Sequence, residues 1–414
     1  MWKKITAVAL IFVLGTSFSI KIKHSKSFQK SFDDACVLDL SGVNFDYKYA
    51  NYYFSNMECQ DLKYAFDKKT KCSNDEILNK EIVYQNIINN SNKYENSFFK
   101  QSNIDGKSIF KKAFYNSFSS PGQLKEDLCK LNNLAIVASS ELEKETQGLY
   151  QDSNCLITVD VDKIKKHKSS AENYLTNVLW HEIDHAKEYM CNDRQNNSQY
   201  VSLSATKTFK MLHEAAAESV IHEYSSAANN IYQDYRLKEG RLLMMVAFSE
   251  NKNLDQYYEA IYNTDLLALL DFFEVNSEKE LKNFLNINYN FDAQTGFNDL
   301  GKAKSERKIG SRANTYIFRE VLEKLAINII NDKMTIKEAS SAYNFSKNLL
   351  KASSEMKNIQ KMEDIFLDFV LETKGWDKEE FLECGKFYNL EDMTERYPVL
   401  KYFQYNDLNV KLTR

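Results

Sequence analysis

Two histidines, His181 and His185, stand four positions apart in the chain, and Glu182 directly follows the first of them. On an α-helix, positions i and i+4 lie one above the other on the same face. Two imidazoles at this spacing can bind one metal ion, while the neighbouring carboxylate reaches a water molecule held by that ion. The spacing therefore predicts a metal site with a general base beside it, which together could carry out metal-assisted hydrolysis.

The segment that carries these residues has the pattern of a helix. Ser169 and Glu172, three positions apart, form a capping box that predicts a helix start. The histidines then fall about three turns into the helix, so one rigid element holds both of them. Apolar residues recur at helical spacing along the segment, at Tyr174, Leu175, Val178, Leu179 and Ile183.

Short apolar runs before this helix predict a small sheet. Residues 134–138 have the pattern of a buried strand, and residues 148–150 and 155–160, separated by a polar turn, predict a hairpin. The order of strand, hairpin, loop and metal-binding helix resembles the N-terminal half of the zincin catalytic fold. That resemblance implies an edge strand along the cleft, to which a peptide could add itself as a further strand.

A catalytic zinc ion usually has three protein ligands and keeps one position open for water. His181, Glu182 and His185 form the HExxH motif of zincins. One subclass of zincins, the metzincins, has a glycine and a third histidine soon after this motif. In this chain those two positions hold Glu188 and Cys191. The metzincin subclass is therefore excluded, and the third ligand must lie elsewhere.

Glu214 and Glu218, four positions apart with three alanines between them, resemble the second motif of the gluzincins. By this resemblance the cofactor is Zn²⁺, Glu214 is its third ligand, and Glu218 accepts a hydrogen bond from the outer ring nitrogen of His181. The family usually has aspartate where Glu218 stands. A solvated helix face is the plain alternative for two glutamates at this spacing, and His213 and His222 are rival ligands.

The resemblance implies a mechanism for peptide-bond hydrolysis. Zinc lowers the pKa of its bound water to about 7 and polarises the scissile carbonyl. Glu182 takes the proton from this zinc-activated water and later gives it to the leaving amine. The oxyanion needs a further donor, for which the candidates are His222 and Tyr224 first, then Tyr232, Tyr235 and Arg236.

Composition and resemblance together predict an α+β protein that is predominantly helical. With 2 prolines and 11 glycines among 414 residues, little interrupts helices. The resemblance adds a zincin-like catalytic core, with a small sheet and hairpin packed on the HExxH helix, between helical N- and C-terminal regions. The net charge is −4, from 54 basic and 58 acidic residues. Since no strong basic tract is present, nucleic acid is not an expected partner.

The first residues predict export from the cytoplasm. Lys3 and Lys4 precede an apolar run of about ten residues, and small residues follow at Ser17 and Ser19, which is the pattern of a secretory signal peptide. The run is short for a membrane span, so no stable membrane insertion is expected after removal of the signal. An uncleaved N-terminal anchor is the alternative.

Seven cysteines fit an oxidising compartment, with up to three disulfides and one thiol left over. Cys36, Cys59 and Cys72 precede the catalytic region and are expected to pair among themselves or with Cys129. Buried free thiols are the alternative.

Four regions are expected along the chain. Residues 1–20 form the signal peptide, and residues 21–125 form a helical or irregular region that is either a pro-segment or a first lobe. Residues 126–300 form the zincin-like catalytic domain, and residues 301–414 a C-terminal helical lobe. Helices are expected at 77–94, 109–118 and 254–273, and in the C-terminal lobe at 312–331, 336–355, 359–373 and 378–387.

The expectation is therefore a secreted zinc metallopeptidase, an endopeptidase, that acts on a peptide or protein substrate. Three alternatives stay open. The protein could be a zinc hydrolase of another bond, or a catalytically degenerate zincin that serves as an extracellular binding or adhesion module. It could also be a helical structural protein in which HExxH is fortuitous.

Overall fold

The computed structural model describes most of the chain from residue 78 to residue 405. The described residues are 78–119, 124–143, 146–151, 154–166, 171–187, 210–224, 233–263, 265–276, 280, 283–284, 287–288, 303–351 and 356–405. The predicted signal peptide and the start of the region 21–125 lie outside these residues, as do Ser169 and Tyr232. The chain divides into two compact units, which are taken in turn.

The first unit lies within Gln60–Arg236 and Asp255–Leu269 and contains the HExxH helix. Its helices are α1 (Lys80–Ser91), α2 (Gly106–Ser117), α3 (Leu124–Leu131), α4 (Val161–Lys165), α5 (Ala171–Lys187) and α6 (Lys210–Tyr224). Its strands are β1 (Ala135–Ala138), β2 (Gly148–Gln151) and β3 (Leu156–Val159). Three more helices cross the unit boundaries along the sequence, namely α7 (Gln233–Leu243), α8 (Leu254–Tyr262) and α9 (Leu266–Phe272).

The three strands form a mixed sheet in the order β1-β3-β2. β1 runs parallel to β3, and β2 pairs with β3 in the antiparallel sense, with Gly148 opposite Val159 and Tyr150 opposite Ile157. Both the predicted strand and the predicted hairpin are confirmed. β2 forms one edge of this sheet, and its inner neighbour β3 is anchored by Ile157 and Val159, which are fully buried.

The HExxH helix, α5, is the central element of this unit. It packs against α2, α3, α4 and α6 and against strands β2 and β3. Every residue from Leu179 to Lys187 is buried. The sequence pattern indicated one apolar stripe on this helix, whereas the structure buries every face of its C-terminal half, because neighbouring elements surround it there.

Burial of every face brings charged residues of α5 into the core. Lys187 Nζ lies 3.0 Å from Asp184 Oδ1, and the two side chains are 1% and 0% exposed. Burial raises the pKa of Asp184, and the positive charge of Lys187 opposes that rise. The neighbouring helix α3 also carries buried charged residues.

On α3, Lys130 donates a hydrogen bond of 3.0 Å to the carbonyl of Tyr262. Asp127 of α3 is also buried; burial raises its pKa, and the positive charges of Lys187 and Lys130 oppose that rise.

We expect Lys187→Met to lower the free energy of unfolding by about 3–5 kcal/mol, because it leaves the Asp184 carboxylate buried without its counter-charge. Urea unfolding followed by tryptophan fluorescence measures the change. The control is Lys93→Met, which removes only an exposed hydrogen bond to Asn90 and should stay within about 0.5 kcal/mol. Equal effects of the two substitutions would show that the buried ion pair does not stabilise this unit.

The described part of the second unit lies within Leu237–Leu254 and Leu270–Arg414 and is helical. Its helices are α10 (Ala303–Ile330), α11 (Ile336–Lys351), α12 (Met356–Lys374), α13 (Lys378–Cys384), α14 (Leu390–Thr394) and α15 (Lys401–Tyr405). Helix α10 packs against α11 and α12, and α11 packs against α13. The four helices predicted for the C-terminal lobe are confirmed, with ends that differ by several residues.

The single helix predicted at 254–273 is wrong, since the chain forms α8 and α9 there instead. The break is stabilised by hydrogen bonds at Asp265. Its backbone N–H donates to the carbonyl of Ala260 at 2.8 Å, and its carboxylate accepts from the N–H of Ala268 at 3.0 Å. Aspartate is a favoured helix N-cap, so Asp265 starts a new helix.

Cys129 and Cys155 are each disulfide-bonded, and Cys384 carries a free thiol. The four remaining cysteines lie outside the described residues. In the part of the chain that the structure describes, no helix combines the length and the apolar character needed to cross a bilayer. The protein is thus of the α+β class, mostly helical with a small three-stranded mixed sheet.

Candidate metal site

The two motifs of the sequence meet where α5 packs against α6. His181 Nε2 and His185 Nε2 lie 2.9 Å apart. From the other helix, Glu214 Oε2 lies 3.4 Å from His181 Nε2 and 3.3 Å from His185 Nε2. One atom of each side chain therefore points at a common centre, and the three residues form a group that could hold a metal ion.

The spacing of the three atoms fits a small divalent ion. Bonds of about 2.0–2.1 Å at tetrahedral angles place neighbouring ligand atoms about 3.3–3.4 Å apart. Both separations that involve Glu214 have these values, and the separation between the two nitrogens is shorter by a few tenths of an ångström. Two imidazoles and a carboxylate leave a further position open to solvent or substrate.

Small residues on α6 let the two helices approach each other at this point. Ala215, Ala216 and Ala217 are all buried, and Glu218 is 7% exposed. The alternative of a solvated face for the two glutamates is therefore wrong. Glu214 keeps 19% of its side chain exposed, more than either histidine, so the site opens on its side.

The electrostatics keep Glu214 in the form that binds a cation. Burial on its own would raise the pKa of Glu214, but the charge of His185 and hydrogen bonds with both histidines hold it well below its usual value. Burial would lower the pKa of His181, but hydrogen bonds to Glu214 and Glu218 outweigh it and raise that pKa well above its usual value. An ionised carboxylate is the form that a metal ion requires.

Glu218 lies on the opposite side of the His181 ring from Glu214, next to the outer nitrogen Nδ1. Its Oε2 is 3.5 Å from His181 Nδ1, a contact longer than the usual N–H···O hydrogen bond, and the side chain is buried. Carboxylates that accept from the outer nitrogen of a ligand histidine orient its ring and raise its basicity. Glu218 therefore lies beside the outer nitrogen of His181, where the sequence analysis placed it.

We expect Glu218→Ala to weaken metal affinity by about 10–100-fold, because His181 loses the group that orients its ring. Competition with a chromophoric chelator measures the affinity. Glu172→Ala serves as the control, since Glu172 is an exposed carboxylate on α5. If both variants bind the metal as tightly as the parent protein, Glu218 does not support the site.

His213 packs against the site without joining it. Its ring stacks on the His185 ring with a centroid distance of 4.6 Å and an interplanar angle of 11°. Burial and the charge of His185 lower the pKa of His213 well below its usual value. The lone pair of an imidazole nitrogen lies in the plane of its ring. Because the two rings are stacked and nearly parallel, an ion in the plane of the His185 ring would lie outside the plane of the His213 ring. His213 is thus a buried packing partner of His185.

The side chain of Glu182 extends from helix α5 to the edge strand β2. Its side chain is 7% exposed, and burial raises its pKa, while the charges of the two histidines and a hydrogen bond from the backbone of Tyr150 oppose that rise. A raised pKa suits a carboxylate that must accept and return a proton near neutral pH. Gly148 of β2 lies directly against this side chain.

Two features of the site were not recognised in the sequence. The first is Gly148, although a glycine inside a strand is a known sign of close backbone approach. The second is the stacking of His213 on His185, for which the sequence carries no signal. Of the remaining candidates, Arg236 is buried and Tyr235 half-buried on α7, while the side chains of His222 and Tyr224 lie outside the described set.

We compared the chain with protein-family models, with characterised proteins and with solved structures, and none of the three comparisons finds a match.

Proposed function

We propose that the protein is a zinc metallopeptidase of zincin type that hydrolyses peptide bonds. The observation that supports it best is the convergence of His181, His185 and Glu214 from two separate helices. A fortuitous HExxH motif does not require a carboxylate from a distant helix within ligand distance of both rings. Two histidines and a glutamate are also the ligand set of known catalytic zinc sites.

The residues around the ligands supply the remaining parts of a hydrolase. Zinc, when bound, lowers the pKa of a water ligand to about 7 and polarises a carbonyl group. Glu182 accepts the proton of the attacking water at its carboxylate and donates it to the leaving amine. Glu218 holds the ring of His181 in orientation through Nδ1.

The edge strand supports a peptide as substrate. β2 lies at the edge of the sheet and packs against α5, with Glu182 next to Gly148. An extended peptide can add to the edge of a sheet as a further strand through backbone hydrogen bonds. A peptide bound there would have its scissile bond near the carboxylate.

We also propose that the protein acts outside the cytoplasm. The support is the pair of disulfide-bonded residues Cys129 and Cys155, since disulfides persist in oxidising compartments. Cell fractionation and mass spectrometry of the mature N-terminus test this proposal. Recovery of the full-length chain from the cytoplasm would contradict it.

Elemental analysis and a peptide-library assay on the purified protein test the proposed activity. We expect about one zinc ion per chain, and peptide cleavage that stops with phenanthroline and returns when zinc is added. Bound zinc without cleavage of any peptide would favour a hydrolase of another bond or a binding module. A protein that takes up no zinc would favour a structural role with a fortuitous motif.

A further inference from the structure

We propose that strand β2 positions the general base, with Gly148 and the backbone amide of Tyr150 forming a seat for the Glu182 carboxylate. The inference rests on the proposed function, because Glu182 needs exact placement as a base only if the protein is a hydrolase. It assigns a positioning role to residues of the edge strand that lie outside both sequence motifs.

The close approach of Gly148 is the first observation. A Cβ atom placed on this residue would lie 2.7 Å from Glu182 Oε1, 2.9 Å from Glu182 Cγ and 2.7 Å from Val178 Cγ1. Non-bonded carbon atoms keep about 3.5–4.0 Å between them. Only glycine therefore lets the strand lie this close to the helix, and any side chain at this position would displace the carboxylate.

The hydrogen bond from Tyr150 is the second observation. The backbone amide of Tyr150 donates to Glu182, two residues along the strand from Gly148. A backbone N–H lies in the plane of the sheet, so the Tyr150 amide holds the carboxylate at the open edge of β2, two residues from the close contact at Gly148. Val178, one helical turn before Glu182, completes the enclosure.

The strand that forms this seat is itself held in place. β2 pairs with β3, where Gly148 is opposite Val159 and Tyr150 is opposite Ile157. Those two residues of β3 are fully buried. Because β2 is held by the sheet, it restrains the Glu182 carboxylate from the strand side, in addition to the restraint from helix α5.

Placement of this kind matters for proton transfer. A base must lie within hydrogen-bond reach of the proton that it takes, and a displacement of about 1 Å can lower the rate by about 10²-fold. The three atoms nearest to a Cβ at position 148 belong to Val178 and Glu182 and not to a metal ligand. A side chain there should therefore disturb the base and spare the ion.

The test is Gly148→Ala in the full chain, with zinc content, kcat and KM measured separately. We expect zinc content to stay at the parent value and kcat to fall by about 10–100-fold, with KM within about threefold. The control is Leu149→Ala on the same strand, since Leu149 is 40% exposed and lies on the opposite face. The cobalt-substituted parent, Gly148→Ala and Leu149→Ala proteins should have the same visible absorption spectrum. A general disturbance of the metal site would change that spectrum.

A second pair of variants keeps the test valid if Gly148→Ala alone does not fold. Val178→Ala removes one of the two clashes, so Gly148→Ala/Val178→Ala retains only the overlap with Glu182. We expect the double variant to have a kcat about 10-fold or more below that of Val178→Ala, at equal zinc content.

Three outcomes would overturn the inference. A kcat for the Gly148 variants within about threefold of their parents would show that the seat has no role in catalysis. A parallel loss of zinc and kcat would show that Gly148 supports the fold or the ligands instead of the base. A parent protein that binds zinc and cleaves no peptide would mean that the proposed function itself fails, and the inference with it.

Discussion

Glu182→Gln should lower kcat by about 10²–10⁴-fold while the zinc content of the protein stays at the parent value. Glutamine has nearly the shape of glutamate but cannot accept the proton of the attacking water. The substitution keeps the packing against Gly148 and leaves the ligand atoms of His181, His185 and Glu214 in place. Loss of activity without loss of metal is the expected signature of a base that is not a ligand.

The measurement needs kcat and metal content from the same preparations. Peptide hydrolysis at saturating substrate gives kcat, and elemental analysis gives zinc per chain. Glu172→Gln is the matched control, because the same exchange is made on the same helix at an exposed position. If Glu182→Gln loses zinc and activity together, Glu182 supports the metal site and its assignment as base is wrong.

The second large effect is expected for Glu214→Ala. Removing the carboxylate leaves two imidazoles from a single helix to hold the ion, with nothing from α6. Since loss of a group that only orients a ligand already costs about 10–100-fold in affinity, loss of the ligand itself should cost at least about 100-fold. Activity at limiting zinc should fall with the occupancy of the site.

Competition with a chelator of known affinity measures this loss, and circular dichroism checks that the variant is folded. Glu218→Ala is the comparison, because its carboxylate faces the outer nitrogen of His181 and should have the smaller effect. An unchanged zinc affinity of Glu214→Ala would move the third ligand to Glu218 or His222. His213 is not a candidate, because its ring lies parallel to that of His185.

The two largest effects separate the alternatives for the protein as a whole. A hydrolase of another bond would show both effects on its own substrate. A binding module would show the loss of zinc in Glu214→Ala and no activity to lose in Glu182→Gln. A structural protein with a fortuitous motif would show neither.

Much of the local structure could be predicted from the sequence. The i, i+4 spacing of His181 and His185 places both rings on one face of any α-helix, and the apolar runs around Gly148 predict the hairpin. These are consequences of backbone geometry, so they hold wherever the segments lie in the fold. The prediction of one helix at 254–273 is wrong because it overlooked Asp265, whose carboxylate caps the start of a second helix.

The pairing of α5 with α6 could be predicted only by resemblance to the gluzincin motifs. Spacing within one helix says which residues share a face, and it does not say which face meets which neighbour. The structure brings Glu214 within 3.4 Å of Nε2 of both His181 and His185, and it places the His213 ring parallel to that of His185. Both relations depend on the rotation and approach of two helices that are far apart in the chain.

By itself, the sequence determined which side chains could bind a metal ion, their spacing on each helix, and the elements that carry them. Only the tertiary structure decided that Gly148 would lie against Glu182 and that Lys187 would be buried beside Asp184. The physical reason is that local propensities act through neighbours in the chain, whereas burial and close contact arise when the whole core packs. Contacts between remote segments have no periodicity in the sequence from which they could be predicted.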